Sequence, residues 1–237
     1  MDLVNRRARL FDLFLLVCFL SAAILLVWTA RQVSAVPVDT VAAGPCLVID
    51  PGHGGIDGGA IAFNGVKESD INLAIGLKLR SLADFLGLSS VMTREDDGTQ
   101  TNYADYSEHE DLFQRTERIN AVPNGVLISI HQNYYPTSQP SGAEVLYAPG
   151  EKSKTLGEIT QRNLVSLLQP GNRRLAGPAS KGLYIPSHIA CPGILAECGF
   201  LSNITDLELL TQDAYQTSLA AVLLVSYLQF LNTEVHT

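Results

Sequence analysis

The chain has 237 residues, 46% of them hydrophobic and 17% charged, and a formal charge of −8. That balance excludes a disordered chain and allows one sizeable core. Residues 1–35 carry Arg6, Arg7, Arg9 and Arg31 against only Asp2 and Asp12, so the remainder is more acidic than the whole and excludes nucleic acid as a favoured partner.

The basic N-terminus leads into an apolar run over residues 13–28, interrupted only by Ser21. Its length lies between a signal-peptide core of about 7–15 residues and a spanning helix of ~20. Val33-Ser34-Ala35 offers small residues for cleavage, so a removed export signal and a retained anchor in the cytoplasmic membrane both stand. In either case the arginines stay inside and the rest of the chain acts beyond the membrane. Residues 1–35 are thus a signal or anchor segment, residues up to about 45 a Val/Ala/Pro-rich linker, and residues 46–237 the domain.

Within the domain, short apolar runs alternate with helix-like segments. They occupy residues 47–50, 70–86, 90–93, 126–130, 143–147, 154–168, 182–185, 193–196 and 205–231. Alternation of this kind predicts a layered α/β domain around a largely buried sheet. Thr205-Asp206-Leu207-Glu208 has capping-box spacing and predicts the start of the last helical region. The acidic stretch 105–111, DYSEHED, reads as a surface loop with His109 in solvent. Cys46, Cys191 and Cys198 are odd in number and form no C-x-x-C pair, which favours buried small apolar residues over a disulfide framework or thiolate metal site.

Chemistry concentrates at the ends of the strand-like runs. Residues 48–55 read VIDPGHGG, so His53 follows an apolar run inside a fence of glycines that presents a side chain instead of burying it. His131 follows another run, 127–130. Parallel strands would bring both imidazoles to one carboxyl edge, where α/β domains keep their sites. Glu68 stands where Ser69 and Asp70 signal a helix start, next to the loop of His53. Each has a structural reading too, Glu68 as an acid favoured by the helix dipole. Taken together, two imidazoles and a carboxylate with an open position are the donor set of a catalytic zinc. Glu197 terminates the run 193–196, where a carboxylate is costly unless paired or functional, and it is the candidate to move the proton of an attacking water.

Read together, VIDPGHGG, KESDINLAI, SIHQN, SGAEVLY and ILAECGFLSN resemble, in order, the zinc-dependent N-acetylmuramoyl-L-alanine amidases of the Amidase_3 family, from about residue 46 to 231. The resemblance implies a single twisted, largely parallel or mixed sheet with helices on both faces. It implies Zn2+ bound by His53, Glu68 and His131, and catalysis by Glu197. The substrate would be peptidoglycan, cut between N-acetylmuramic acid and the first L-alanine of the stem peptide. The single domain, the N-terminal membrane segment and the segment 102–120 are similar to a sporulation type within the family, which strips stem peptides from spore cortex so that muramic-δ-lactam can form. An activating partner protein is compatible with that type. A zinc peptidase cutting within the stem, another wall autolysin and an inactive wall-binding protein use overlapping residues, and muropeptide analysis separates them.

Two positions depart from the family pattern. Gln132 stands where a small or aliphatic residue is common, and Cys198 follows the catalytic carboxylate; neither is expected to touch a metal ligand. His188 reads as a plain loop residue, with contact to substrate as the alternative, and Arg115 and Arg118 as residues that hold a helix in place through ion pairs, with wall binding as the alternative.

Overall fold

Strand β1 (Cys46–Pro51) is buried along its whole length, and this explains its nearly unbroken apolar sequence: a strand covered on both faces cannot alternate with polar residues. The computed structural model describes residues 44–99 and 106–235. The N-terminal segment and linker through residue 43, and residues 100–105 of the longer inter-motif segment, lie outside the described residues. After β1 come α1 (Glu68–Phe85), β2 (Ser90–Met92), α2 (Glu108–Asn120), β3 (Gly125–Asn133), β4 (Glu144–Tyr147) and α3 (Glu151–Leu167). The order continues with β5 (Gly177–Pro178), α4 (Tyr184–His188), β6 (Gly193–Phe200), α5 (Ile204–Leu210) and α6 (Asp213–Val235).

The strands form one mixed sheet in the order β2-β1-β3-β6-β4-β5. β2, β1, β3 and β6 run parallel, and β4 joins β6 antiparallel. Strand alternation divides the side chains between two layers. Leu47, Ile49, Ile128, Ile130, Ile194, Ala196 and Cys198 enter the main core with α1, α3 and α6. Val48 and Leu127 face the other way and meet Ile119 of α2 and Ile185 of α4 in a much smaller cluster. Helices therefore cover both faces.

Helix α6 is long and apolar enough to cross a membrane, but Leu219, Ala220, Leu223, Tyr227 and Phe230 are buried in the main core, where it packs on α1 and α3. It is a core helix.

Three local expectations change. Residues 182–185 lead into helix α4 instead of a strand, with Pro186 in the first turn, where its missing N–H is no loss. The acidic stretch 105–111 is not all loop: α2 begins at Glu108, with Ser107 as its N-cap and Glu108, Glu110 and Asp111 placed favourably in the first turn. The last helical region is two helices. Asn203, not Thr205, caps α5, its side chain accepting from the backbone N–H groups of Thr205 and Asp206, and the helix ends at Thr211.

Candidate metal centre and active site

The parallel order brings the carboxyl ends of β1, β3 and β6 to one edge, and alternation puts Asp50, Ser129, His131 and Glu197 on the face opposite the main core. Asp50 is fully buried. It accepts from Thr93 Oγ1 at 2.7 Å, Ser129 Oγ at 2.6 Å and Arg115 Nη1 at 3.1 Å. Burial alone would raise its pKa, but Arg115 and the two hydroxyls hold it below the ordinary carboxylate value.

Arg115 also donates to the carbonyls of Pro51 and His53, and Arg94 to those of Pro51, Gly52 and Ser69. The loop leaving β1 is thus clamped by two guanidinium groups. Within it His53 adopts φ 61°, a left-handed conformation uncommon for a side-chain-bearing residue. Arg115 has the ion-pair role expected of it, and Arg118 donates to the carbonyl of Thr93.

The glycines have a specific purpose. A Cβ at Gly52 would lie 2.2 Å from the imidazole of His131, and one at Gly59, where φ is +63°, would lie 2.6 Å from Glu68 Oε2 and 2.7 Å from His53 Cδ2. They make room for the three candidate ligands to converge.

His53, Glu68 and His131 each offer a ligand atom, and these atoms all lie within 4.8 Å of one another. His53 Nε2 is 3.3 Å from Glu68 Oε2, His131 Nδ1 is 2.9 Å from Glu68 Oε1, and the imidazoles meet edge to face. Asp57 Oδ2 holds His53 Nδ1 at 2.7 Å, the outer-shell contact that fixes a ligating imidazole. Glu68 accepts from the backbone of Ala60 and Gln132 and from Asn72 Nδ2, which also donates to the carbonyl of Gly52. Gln132 Nε2 donates in turn to Asn72 Oδ1. The expectation that Gln132 touches no candidate ligand is therefore corrected, because its backbone N–H binds Glu68 directly.

Electrostatically the centre is short of positive charge. Burial opposes ionisation of Glu68, yet both imidazoles hold its carboxyl far below the usual range. Burial would depress His53, but Asp57 and Glu68 push it up to about 10. Such coupling marks a place suited to a cation, and the His-Glu-His donors match zinc.

Glu197 pairs in register with His131 and lines the same pocket of about 320 Å³. Its Oε2 is buried without a hydrogen-bond partner. Burial pushes its pKa up to about 7, opposed by His131. Tyr134 and Tyr184 both line the pocket. His188 stacks on Tyr184 at 4.2 Å and His109 meets its edge at 5.5 Å, so both histidines buttress a wall residue and stay out of the His-Glu-His cluster. His109 is an exposed residue of the first turn of α2, not a loop residue. Cys46, Cys191 and Cys198 are free thiols, with Cys198 in the core face.

A buried carboxylate beside a His-Glu-His cluster that could hold a metal ion, at the carboxyl edge of a mixed α/β sheet, is the arrangement of a hydrolase. Residues 47–225 match the Amidase_3 family, described as N-acetylmuramoyl-L-alanine amidase, and the chain belongs to that family. A germination-specific N-acetylmuramoyl-L-alanine amidase of Bacillus subtilis is 34% identical over 200 residues, covering 79% of this chain and 80% of that protein. A sporulation-specific amidase of the same organism is 27% identical over 178 residues, covering 73% and 63%. The CwlD amidase of Clostridioides difficile, solved in complex with the GerS lipoprotein, superposes with a TM-score of 0.75 at 32% identity, covering 80% of this chain and 99% of that one. The protein is an N-acetylmuramoyl-L-alanine amidase.

Proposed function

We propose that His53, Glu68 and His131 bind Zn2+ and that Glu197 is the catalytic base and acid for cleavage of the N-acetylmuramoyl–L-alanine amide. The observation that carries this is the unpartnered, buried Oε2 of Glu197 in the pocket shared with the His-Glu-His cluster. Zinc bound there would polarise the amide carbonyl and make water more acidic.

The chain's own residues do the rest. Asp57 and Asn72 orient His53 and Glu68, and Arg94 and Arg115 keep the His53 loop rigid. Glu197 takes a proton from the attacking water as oxygen bonds to the carbonyl carbon. It returns that proton to the nitrogen as the C–N bond breaks, and the stem peptide leaves as an amine. A carboxylate with a pKa near neutrality suits both transfers.

The biological setting we propose is spore cortex, where removal of stem peptides precedes muramic-δ-lactam formation and makes spores competent to germinate. The names of the Bacillus relatives support it. The enzyme would act between the forespore and mother-cell membranes, exported or held by its N-terminal segment. An activating protein partner belongs to the same reading, since the Clostridioides difficile relative was solved with a lipoprotein.

The test uses the full chain and its Glu197→Gln variant. Zinc content is measured, then new L-alanine amino termini are counted after incubation with purified peptidoglycan. Release that requires both zinc and Glu197 supports the mechanism. Release that persists in the variant, or stem peptides shortened internally, overturns it.

A further inference from the structure

We infer that Arg174, assisted by Arg173, forms a subsite for a free carboxylate on the second residue of the stem peptide. This rests on the amidase reading and adds to it a substrate preference.

The placement follows from the sheet. Glu144 on β4 pairs in register with Glu197 on β6, so the two carboxylates share the site face. Arg174 Nη1 lies 3.6 Å from Glu144 Oε2, and both side chains are 32% exposed. The guanidinium of Arg174 also sits over the ring of Phe200, 5.0 Å from its centroid. Phe200 pairs with Asn133, which lines the pocket of Glu197. Arg173 is exposed and has no ion pair among the described residues. Both arginines also line a cavity of about 640 Å³, distinct from the pocket of Glu197, whose walls include Ser141, Gly142, Gln169 and Tyr215.

Charge makes the arrangement selective. Asp57, Glu68, Glu144 and Glu197 crowd this edge of the sheet, and a negative substrate group would be repelled unless a cation received it. Arg94 and Arg115 are engaged with main-chain carbonyls, Asp50 and Asp111. Arg174 is not so engaged: 3.6 Å exceeds the roughly 2.7–2.9 Å of a charge-assisted hydrogen bond. An exposed pair of this kind holds weakly and can exchange its partner. The Phe200 ring meanwhile keeps the guanidinium plane in place.

The reach is appropriate. Paired strands set their Cα atoms about 5 Å apart, and an extended peptide advances about 3.3–3.6 Å per residue. With its first amide at Glu197, a stem peptide directed across β4 brings its second residue to Arg174.

The test is calorimetric titration of the full chain in detergent with two probes, L-Ala-γ-D-Glu-L-Lys and the same tripeptide with its glutamyl α-carboxyl amidated. The wild type should bind the acid about tenfold or more tightly than the amide, the scale of one hydrogen bond to a charged group. Arg174→Ala should abolish that preference with amide affinity unchanged, and Arg174→Lys should retain part of it. Equal binding of both probes by the wild type, no binding of either at millimolar concentration, or a variant that weakens both alike would overturn the subsite. Because binding needs no turnover, its outcome is separate from the Glu197-dependent peptidoglycan assay, whose failure would remove the hydrolase reading alone.

Discussion

The two faces of the sheet are built from the same strands and have opposite chemistry. In β1 Leu47 and Ile49 enter the main core while Asp50 faces away from it. In β3 Ile128 and Ile130 alternate with Ser129 and His131, and in β6 Ala196 and Cys198 flank Glu197. The core face is covered by α1, α3 and α6, while among the described residues the site face has only the small cluster around α2 and α4. The apolar face supplies most of the burial that makes the fold stable. The other face can then hold buried carboxylates and an unpartnered oxygen at a net cost in stability.

That division predicts that substitutions on the site face alter chemistry with little effect on folding, and Glu197→Gln should do so most. Catalytic turnover should fall about 10²–10⁴-fold, the usual contribution of a positioned acid and base, with zinc content and thermal midpoint unchanged. A variant that lost zinc or unfolded would break the comparison.

Asp50 is the exception that sharpens it, because it is a site-face residue buried for structural reasons. Asp50→Asn leaves the buried Arg115 with one carboxylate partner, Asp111, instead of two, and should destabilise the protein by about 3–5 kcal/mol in denaturant titrations. The folded-state pKa of Asp50 lies below its unfolded value, so its contribution is present above the unfolded value and is lost as pH falls through the folded one. The stability gap between wild type and variant should therefore narrow below pH ~4. A gap that stayed constant down to pH 2 would show that the charge of Asp50 contributes nothing.

Ile75→Ala is the matching change on the core face. Ile75 is fully buried on α1, and its truncation should cost about 2–5 kcal/mol. Zinc affinity and kcat of the folded fraction should remain those of the wild type. An altered affinity would mean that the two faces are coupled through α1.

The comparison also explains what was legible in the sequence. Strand runs, the helices covering the core and chemistry-bearing residues at strand ends and helix starts follow from periodicity and residue type, so His53, His131 and Glu197 at strand ends and Glu68 at a helix start could be named as candidates. Residues that orient them were harder to find. Asn72 stands four residues after Glu68, on the same side of α1, and Asp57 four after His53, spacings that become informative only once a helix start and a loop path are known. The break between α5 and α6 contains neither glycine nor proline, and Thr211 satisfies the carbonyl of Leu207 with its own hydroxyl. Residues 205–231 consequently look like one helix. The placement of Arg174 beside Glu144 depends on a crossover of β5 that no local pattern encodes.

Asn72 is where the two faces meet, and Asn72→Ala tests the boundary at the smallest scale. It lies on α1, one position after Ile71 of the core, yet its amide reaches the site. It donates to the carbonyl of Gly52 and to Glu68 Oε1, and accepts from Gln132. Truncation leaves the carboxylate of Glu68 with its backbone donors and one orienting contact fewer. Zinc affinity should fall about tenfold, the lower end for an outer-shell partner, as read by competition with a chromogenic chelator. Stability of the zinc-free protein should fall by only about 1–3 kcal/mol, because buried polar groups lose a partner but no large cavity opens. If affinity held while stability collapsed, Asn72 would belong to the core. If both moved as stated, the helix that builds one face would also set the geometry of the other.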